Sequence, residues 1–246
     1  MDIRTTLIMN RYIYVGHDPR EQEAFNVTEC SILRHSDNNT VVVPLKLKEL
    51  RQFLWRPIEQ KDGRMWCPIS QAPMSTEFAI SRFTVPLLRT GGWAVFMDCD
   101  MLCRADIKEL FDMADDRYAV MVVKHKQENG SVIKMDNQVQ TFYSRKNWSS
   151  VILWNCAHKS NRNLTTYELN TWPGRDLHAF RWLQDHEIGE LPQEWNHLVG
   201  VSPPIESPKI LHYTLGSPNM VGYENCEFAQ EWLNERKIIE RKYYAI

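Results

Sequence analysis

Apolar positions along the chain gather into short continuous runs separated by polar, turn-rich stretches, a pattern that predicts strands alternating with helices. Arg11 to Gly16 (RYIYVG) is β-branched and aromatic and predicts a first strand. Asp18-Pro19 follows as a helix start, with proline suited to the first turn. Glu21 to Arg34 then carries Ala24, Val27, Ile32 and Leu33 at helical spacing, with Phe25 and Cys30 beside them. Thr40 to Leu45 (TVVVPL) predicts a second strand. Strand, helix and strand in that order favour parallel pairing through a right-handed crossover.

Leu47 to Cys67 is irregular by pattern, and Ser75 to Leu88 predicts a helix broken near Pro86. After Gly91-Gly92, Trp93 to Met97 (WAVFM) is apolar without interruption, as expected of a central strand covered on both faces. Ile107 to Met113 predicts a short helix and Tyr118 to Lys124 another strand. Val139 to Tyr143 and Val151 to Trp154 read as further strands, Leu177 to Asp185 as a helix, and Pro208 to Tyr213 as a late strand. Phe228 to Arg241 predicts a charged amphipathic helix, where Lys237 and Arg241 alternate with Glu235 and Glu240 on a solvated face. With no repeat, low-complexity tract or linker in view, the expectation is α/β: a single Rossmann-like domain over residues 1–246 with a mostly parallel central sheet.

Composition narrows the partners. The 246 residues are 43% hydrophobic and 24% charged, with a formal net charge of -2, so bulk charge draws the chain to neither nucleic acid nor an anionic membrane. No apolar run has the length of a transmembrane segment, and Met1 to Asn10 lacks the pattern of a cleavable signal. The expectation is therefore a cytoplasmic protein. Its six cysteines, without a CxxC pair or zinc-ligand spacing, read as reduced thiols. The sequons at Asn26, Asn38, Asn147 and Asn163 then carry no glycan.

The candidate chemistry sits where the WAVFM run ends in Asp98-Cys99-Asp100. Ligands of open α/β sheets gather at the carboxyl ends of strands. Two carboxylates separated by one residue repel each other unless a cation lies between them, and their oxygens suit Mn²⁺ or Mg²⁺. Such an ion bridges diphosphate oxygens and neutralises a departing nucleotide. Otherwise the pair is a solvated loop or a cap for the helix near Ile107. His212, at the end of a predicted strand, offers an imidazole as a third ligand, and the Gly216-Ser217-Pro218 turn after it offers backbone to a phosphate. It reads equally as a core or surface histidine.

Several segments in this order resemble the glycosyltransferases of family eight and their bacterial and phage relatives. They are YIYVGHDPRE (12–21), STEFAISRFTVP (75–86), GWAVFMDCDML (92–102), NWSSVILWNCAH (147–158), GRDLH (174–178), LPQEWNHL (191–198) and HYTLGSP (212–218). The resemblance implies a GT-A fold and a hexosyltransferase-like enzyme. It would transfer sugar from a nucleotide sugar, commonly a UDP-sugar, to a carbohydrate or other hydroxyl acceptor with retention. Asp98, Cys99 and Asp100 then form the DxD segment against the donor, with Asp98 and Asp100 as metal ligands and His212 as the third. Arg82 matches the arginine that contacts sugar and phosphate, and Tyr14, His17 and Asp18 stand where this fold seats the nucleoside. Asn155 matches the asparagine that bonds donor-sugar hydroxyls, and Asp176 the acidic residue beside the sugar. Gly216 belongs to the phosphate-facing turn, and Trp195-Asn196 border the acceptor, although Trp195 reads at least as well as a core residue. From the residues alone, Asp18 reads as a helix cap as well, Asp176 as an N-cap and Asn155 as a strand-end turn.

The chain departs from the family pattern after His212. The lysine that grips the diphosphate is replaced by the run Pro218-Asn219-Met220, so Lys209 or Arg175 would have to compensate. Two other functions share these features. A nucleotidyltransferase would carry a Gly-rich basic loop after the first strand, where VGHDPRE stands. A non-catalytic sugar-nucleotide or carbohydrate-binding protein would bind without turnover.

Overall fold

The computed structural model describes residues 10–126, 133–134, 138–139 and 145–244. The first five strands are β1 (Arg11–His17), β2 (Thr40–Lys46), β3 (Glu59–Lys61), β4 (Arg64–Cys67) and β5 (Ala72–Pro73). The others are β6 (Trp93–Met97), β7 (Met101–Cys103), β8 (Val120–Val122), β9 (Ile133–Lys134), β10 (Gln138–Val139), β11 (Val151–Asn155), β12 (Ile188–Glu190), β13 (His197–Leu198) and β14 (Ile210–His212). Of the strand expected over Val139 to Tyr143, residues 140–143 lie outside the described residues.

The central sheet has the order β12-β8-β11-β6-β1-β2. β2, β1 and β6 run parallel, β8 and β12 share their direction, and β11 alone is antiparallel. The sheet is thus mostly parallel, and its middle strands are apolar on both faces because chain covers both. Helix α1 (Gln22–Arg34) makes the crossover from β1 to β2 and buries Ala24, Phe25, Val27 and Ile32. The Asp18 side chain accepts from the Arg20 N–H to cap the 3-10 turn Pro19–Glu21 that leads into it.

The direction of β11 decides which of its ends faces the site. Val151 lies opposite Met97 and Asn155 opposite Trp93. The start of β11 therefore stands on the rim where β1, β6 and β8 end, and Asn155 stands on the opposite edge, roughly 13 Å away along the strand.

A second small sheet, β13-β14-β7, sits beyond that rim. Its register puts His212 opposite Met101, one residue past Asp100. Helix α7 (Ala229–Tyr244) closes this side by burying Trp232 completely against Val27, Leu102, Leu211 and Tyr213. Truncating a tryptophan packed this way costs roughly 3–5 kcal/mol.

Three expected elements differ. The stretch over Leu47 to Cys67 contains an antiparallel meander with β5, its first turn made by Asp62 and Gly63 at φ 53° and 73°. The helix predicted over Ser75 to Leu88 is α2 (Phe78–Ser81), a 3-10 turn (Arg82–Thr84) and α3 (Val85–Leu88), with Pro86 in the first turn of α3. Leu177 to Asp185 is not one helix. α4 (Lys108–Asp112) and α5 (Thr166–Thr171) precede α6 (Gly174–His178), which stops because Phe180 adopts φ 51°, outside the helical region.

Candidate metal centre on the sheet rim

β6 leaves the core at Met97, and Asp98 is tied to the neighbouring strand by its N–H donating to the Ser150 carbonyl at 3.0 Å. Cys99 points inward, wholly buried, and its thiol donates to Glu21 at 3.0 Å. Beyond the end of β6 the chain bends at Cys99 and Asp100, and Asp98 and Asp100 both approach His212. The turn is pinned to α1. The Thr28 hydroxyl accepts from the Met101 N–H at 3.1 Å and lies within hydrogen-bond reach of the Cys99 and Met101 carbonyls, while Ser31 accepts from Cys103 N–H.

β14 brings His212 to the same point. Its Nε2 lies 3.4 Å from an Asp100 oxygen and 4.0 Å from an Asp98 oxygen. One ligand atom from each of Asp98, Asp100 and His212 falls within 4.8 Å of the others. Two ligands at right angles on a Mg²⁺-sized ion stand about 3 Å apart, so these separations suit a shared cation. The chemistry of the set agrees, since two carboxylates and an imidazole nitrogen converge with only acceptors facing one another unless a proton or metal joins them.

Arg82 braces this corner from beneath. It is buried, its Nη1 pairs with Asp98 at 2.9 Å and donates to the Ser149 carbonyl at 2.7 Å, and its Nε donates to Ala79. The guanidinium lies over Phe96, 4.9 Å from the ring centre. Glu21 is a further acid behind the site. Burial first, and the charge of Asp100 second, push its carboxyl up to about 7. Burial likewise raises the Cys99 thiol far above the usual range. His125, just past β8, has a buried Nε2 with no hydrogen-bond partner, and burial followed by the proximity of His212 lowers its pKa to about 4.

The other residues singled out by sequence are scattered. His17 ends β1 on this rim, with Nε2 2.9 Å from the Gln22 amide oxygen. Asp18 is buried and occupied. Its carboxylate receives the Arg20 guanidinium at 2.6 Å and the N–H groups of Arg20 and Glu77. Burial opposes its ionisation, but these bonds hold its pKa below the ordinary value. Tyr14 does not open to the rim as a base-stacking face. It is buried, and its hydroxyl, with pKa raised by burial, is held near Arg89.

Asn155 is not brought to the site. It stands at the far edge of the sheet, its Nδ2 donating to the Tyr118 carbonyl at 3.2 Å and its carbonyl receiving Asn161 at 2.8 Å, so it is a buried turn asparagine. Asp176, on α6, pairs with Arg181 at 3.3 Å. Two residues on, His178 lies 2.7 Å from the Ser149 hydroxyl, which links α6 to the loop that holds Arg82. A Cβ at Gly216 would stand 2.5 Å from the Tyr223 ring, so packing requires glycine there. Lys209 immediately precedes β14, at the other end from His212, and its Nζ is engaged by Glu109 at 2.8 Å and Glu194 at 3.0 Å. Arg175 is exposed and leans toward Asp176 at 3.8 Å.

Sequence reading missed Glu21, Thr28, Ser149, Ser150 and His125, whose roles arise from contacts between distant segments. It also put Asn196 beside an acceptor. Asn196 is wholly buried behind His212, its amide oxygen 3.1 Å from Nδ1.

The fold is that of the GT-A glycosyltransferases. The bifunctional glycosyltransferase WbbM matches with a TM-score of 0.64 at 15% identity over 93% of the chain, and GlyE of Streptococcus pneumoniae TIGR4 with 0.61 at 15% over 96%. The chain spans 50% and 63% of those two proteins. The galactosyltransferase LgtC, solved with donor and acceptor sugar analogs, matches with 0.55 at 9% identity, covering 92% of this chain and 95% of its own. No family model matches the sequence. Protein CDI of Arabidopsis thaliana is 44% identical over 229 residues, covering 91% of this chain and 85% of the relative. The chain therefore belongs to the family of Protein CDI.

Proposed function

We propose that the chain is a metal-dependent glycosyltransferase of the family-eight type, moving a sugar from a nucleotide sugar, with UDP-sugar favoured, to a carbohydrate or other hydroxyl acceptor with retention. The observation that carries this reading is the meeting of Asp98, Asp100 and His212 on the rim of a GT-A sheet. The three side chains would hold Mn²⁺ or Mg²⁺, which when bound neutralises the diphosphate of the departing nucleotide. Arg82 keeps Asp98 in place and adds positive charge beneath the site. Its Nη1 and Nε are engaged by Asp98 and backbone carbonyls, which favours a bracing role over a grip on the donor. His17 closes the nucleoside end of the rim, while the occupied carboxylate of Asp18 fits a cap. Asp176, 19% exposed, is the acid nominated for a same-face step beside the sugar.

Among the described residues the cysteines are thiols outside any disulfide, which suits a reducing compartment such as the cytoplasm. Among the described residues no helix is long and apolar enough to cross a membrane.

Thermal-shift titration with UDP-, GDP-, CDP- and ADP-sugars, with and without Mn²⁺, tests the donor and the metal together. Stabilisation by one nucleotide only when Mn²⁺ is present is the expected result. Equal stabilisation after chelation would remove the metal from the reading, and binding with no hydrolysis or transfer would favour a non-catalytic sugar-nucleotide binder.

A further inference from the structure

Behind His212 runs a line of buried groups whose hydrogen-bond directions all follow from the last member. The Ser150 hydroxyl lies 2.8 Å from the Asn147 carbonyl oxygen. A carbonyl only accepts, so the Ser150 proton is committed to it. The Asn196 amide sits 2.8 Å from the same hydroxyl oxygen, which can now only accept, so Asn196 presents its NH₂ there. The Asn196 oxygen then faces the other way, 3.1 Å from Nδ1 of His212. An amide oxygen cannot donate, so Nδ1 carries the hydrogen. Nε2 is the nitrogen left toward Asp98 and Asp100. Asn196, Ser150 and His212 are all buried, so the line is shielded from water that would reorder it.

We infer that Asn196 and Ser150 are positioning residues that lock His212 in the tautomer presenting a bare Nε2 to a cation. This deepens the metal-dependent reading and rests on it. A metal-ligating histidine depends on the bond made by its other nitrogen, which sets both ring orientation and the identity of the free nitrogen. Here that bond is an amide relay ending on a backbone carbonyl. The same loop also sets the carboxylate arm. The Ser150 carbonyl accepts from the Asp98 N–H at 3.0 Å, and the Ser149 carbonyl accepts from Arg82, the partner of Asp98. Arg145 and Asn147, both at φ 63°, turn this loop so that it can serve both arms. Two neighbouring serines thus register one aspartate against the histidine.

Two measurements on the full chain test the inference. The first is a two-bond ¹H–¹⁵N spectrum of metal-free protein at alkaline pH, with His212 assigned by its loss in His212→Gln. The Nδ1–H pattern is expected, and an Nε2–H pattern would overturn the relay. The second is Mn²⁺ affinity, read by electron paramagnetic resonance. Asn196→Leu should weaken binding by about 10- to 100-fold. Asn196→Asp, which keeps an acceptor against Nδ1, should return it to near the wild-type level, and Ser150→Ala should fall between the two. Wild-type affinity in Asn196→Leu would sink the inference. Should Asn196→Leu not fold, the wild-type spectrum and the Asn196→Asp affinity still decide. If the wild-type chain binds no Mn²⁺, the functional reading fails, while the spectrum judges the tautomer separately.

Discussion

Two aspartate corners stand on the same rim of the sheet, one just past β1 and one just past β6, and they differ in what faces the carboxylates. The Asp18 carboxylate is filled by donors: the Arg20 guanidinium and the N–H groups of Arg20 and Glu77. Around the second corner, Asp98 and Asp100 converge with His212 Nε2, and the Arg82 guanidinium pairs with Asp98. The first arrangement is complete as folded, whereas on the proposed reading a cation completes the second. The residue type is the same and the strand ends are equivalent, so the sign of the surroundings separates a cap from a ligand set.

The sharpest break in that comparison comes from Asp100→Asn. Mn²⁺-dependent hydrolysis or transfer from the donor sugar should fall by at least about 100-fold, beyond the usual loss from supporting groups. The fold should survive, since removing one of two facing carboxylates relieves repulsion in the metal-free state. Circular dichroism and a donor-hydrolysis assay check both halves, and activity near the wild-type level would dissolve the metal corner.

Asp18→Asn should do the reverse. It strips the charge from a buried cap and should cost roughly 1.5–3 kcal/mol of stability, with Mn²⁺ affinity unchanged. The pH dependence has a definite sign. The folded pKa of Asp18 lies below the unfolded one, so its contribution is present above the unfolded value near 3.8 and is lost as pH falls through the folded value. Urea denaturation between pH 6 and 3 should therefore show the gap between wild type and Asp18→Asn closing on acidification. A gap constant with pH would mean that the carboxylate charge is not what holds this corner.

Asn155→Ala sharpens the contrast between the two ends of β11. The Asn155 end bonds to Tyr118, Ala119, His158 and Asn161, whereas the Ser150 end serves Asp98 and His212. The substitution should cost about 1–2 kcal/mol, with donor KM and Mn²⁺ affinity at wild-type values. A selective rise in KM would return Asn155 to the donor site.

How far these distinctions could be read in advance depends on the range of the interaction. β1, α1, β2 and β6 were legible because each is an apolar pattern of its own. Asp98 and Asp100 were legible because an uninterrupted apolar strand ends in two acids one residue apart. The direction of β11 was not, since VILWN reads alike parallel or antiparallel, and that alone sends Asn155 to the wrong end for a sugar contact. The β3–β4 hairpin did carry a local signal, the Asp62-Gly63 pair suited to a two-residue turn, but its polar strands hid the pairing. Thr28, Ser150 and Asn196 had no local signal, because each matters only through a partner at least 46 residues distant, or through the histidine that such a partner orients.

The smallest effect is expected at Lys209, and it bears on the lysine missing after His212. A lysine that replaced it would have to bring Nζ to the rim. Lys209 immediately precedes β14, three residues before His212 and about 10 Å back along the strand direction, and its ammonium is held by Glu109 and Glu194 over the Trp195 ring. Partly exposed pairs of this kind contribute about 0–1 kcal/mol. Lys209→Ala should therefore lower stability by less than about 1 kcal/mol and leave the Kd for UDP with Mn²⁺ within about twofold, because no contact to the diphosphate is lost. Calorimetric titration of UDP into both proteins reads this directly. A tenfold loss of UDP affinity would mean that β14 carries its phosphate contact at its start and its metal ligand at its end, and the rim would have to be redrawn around both.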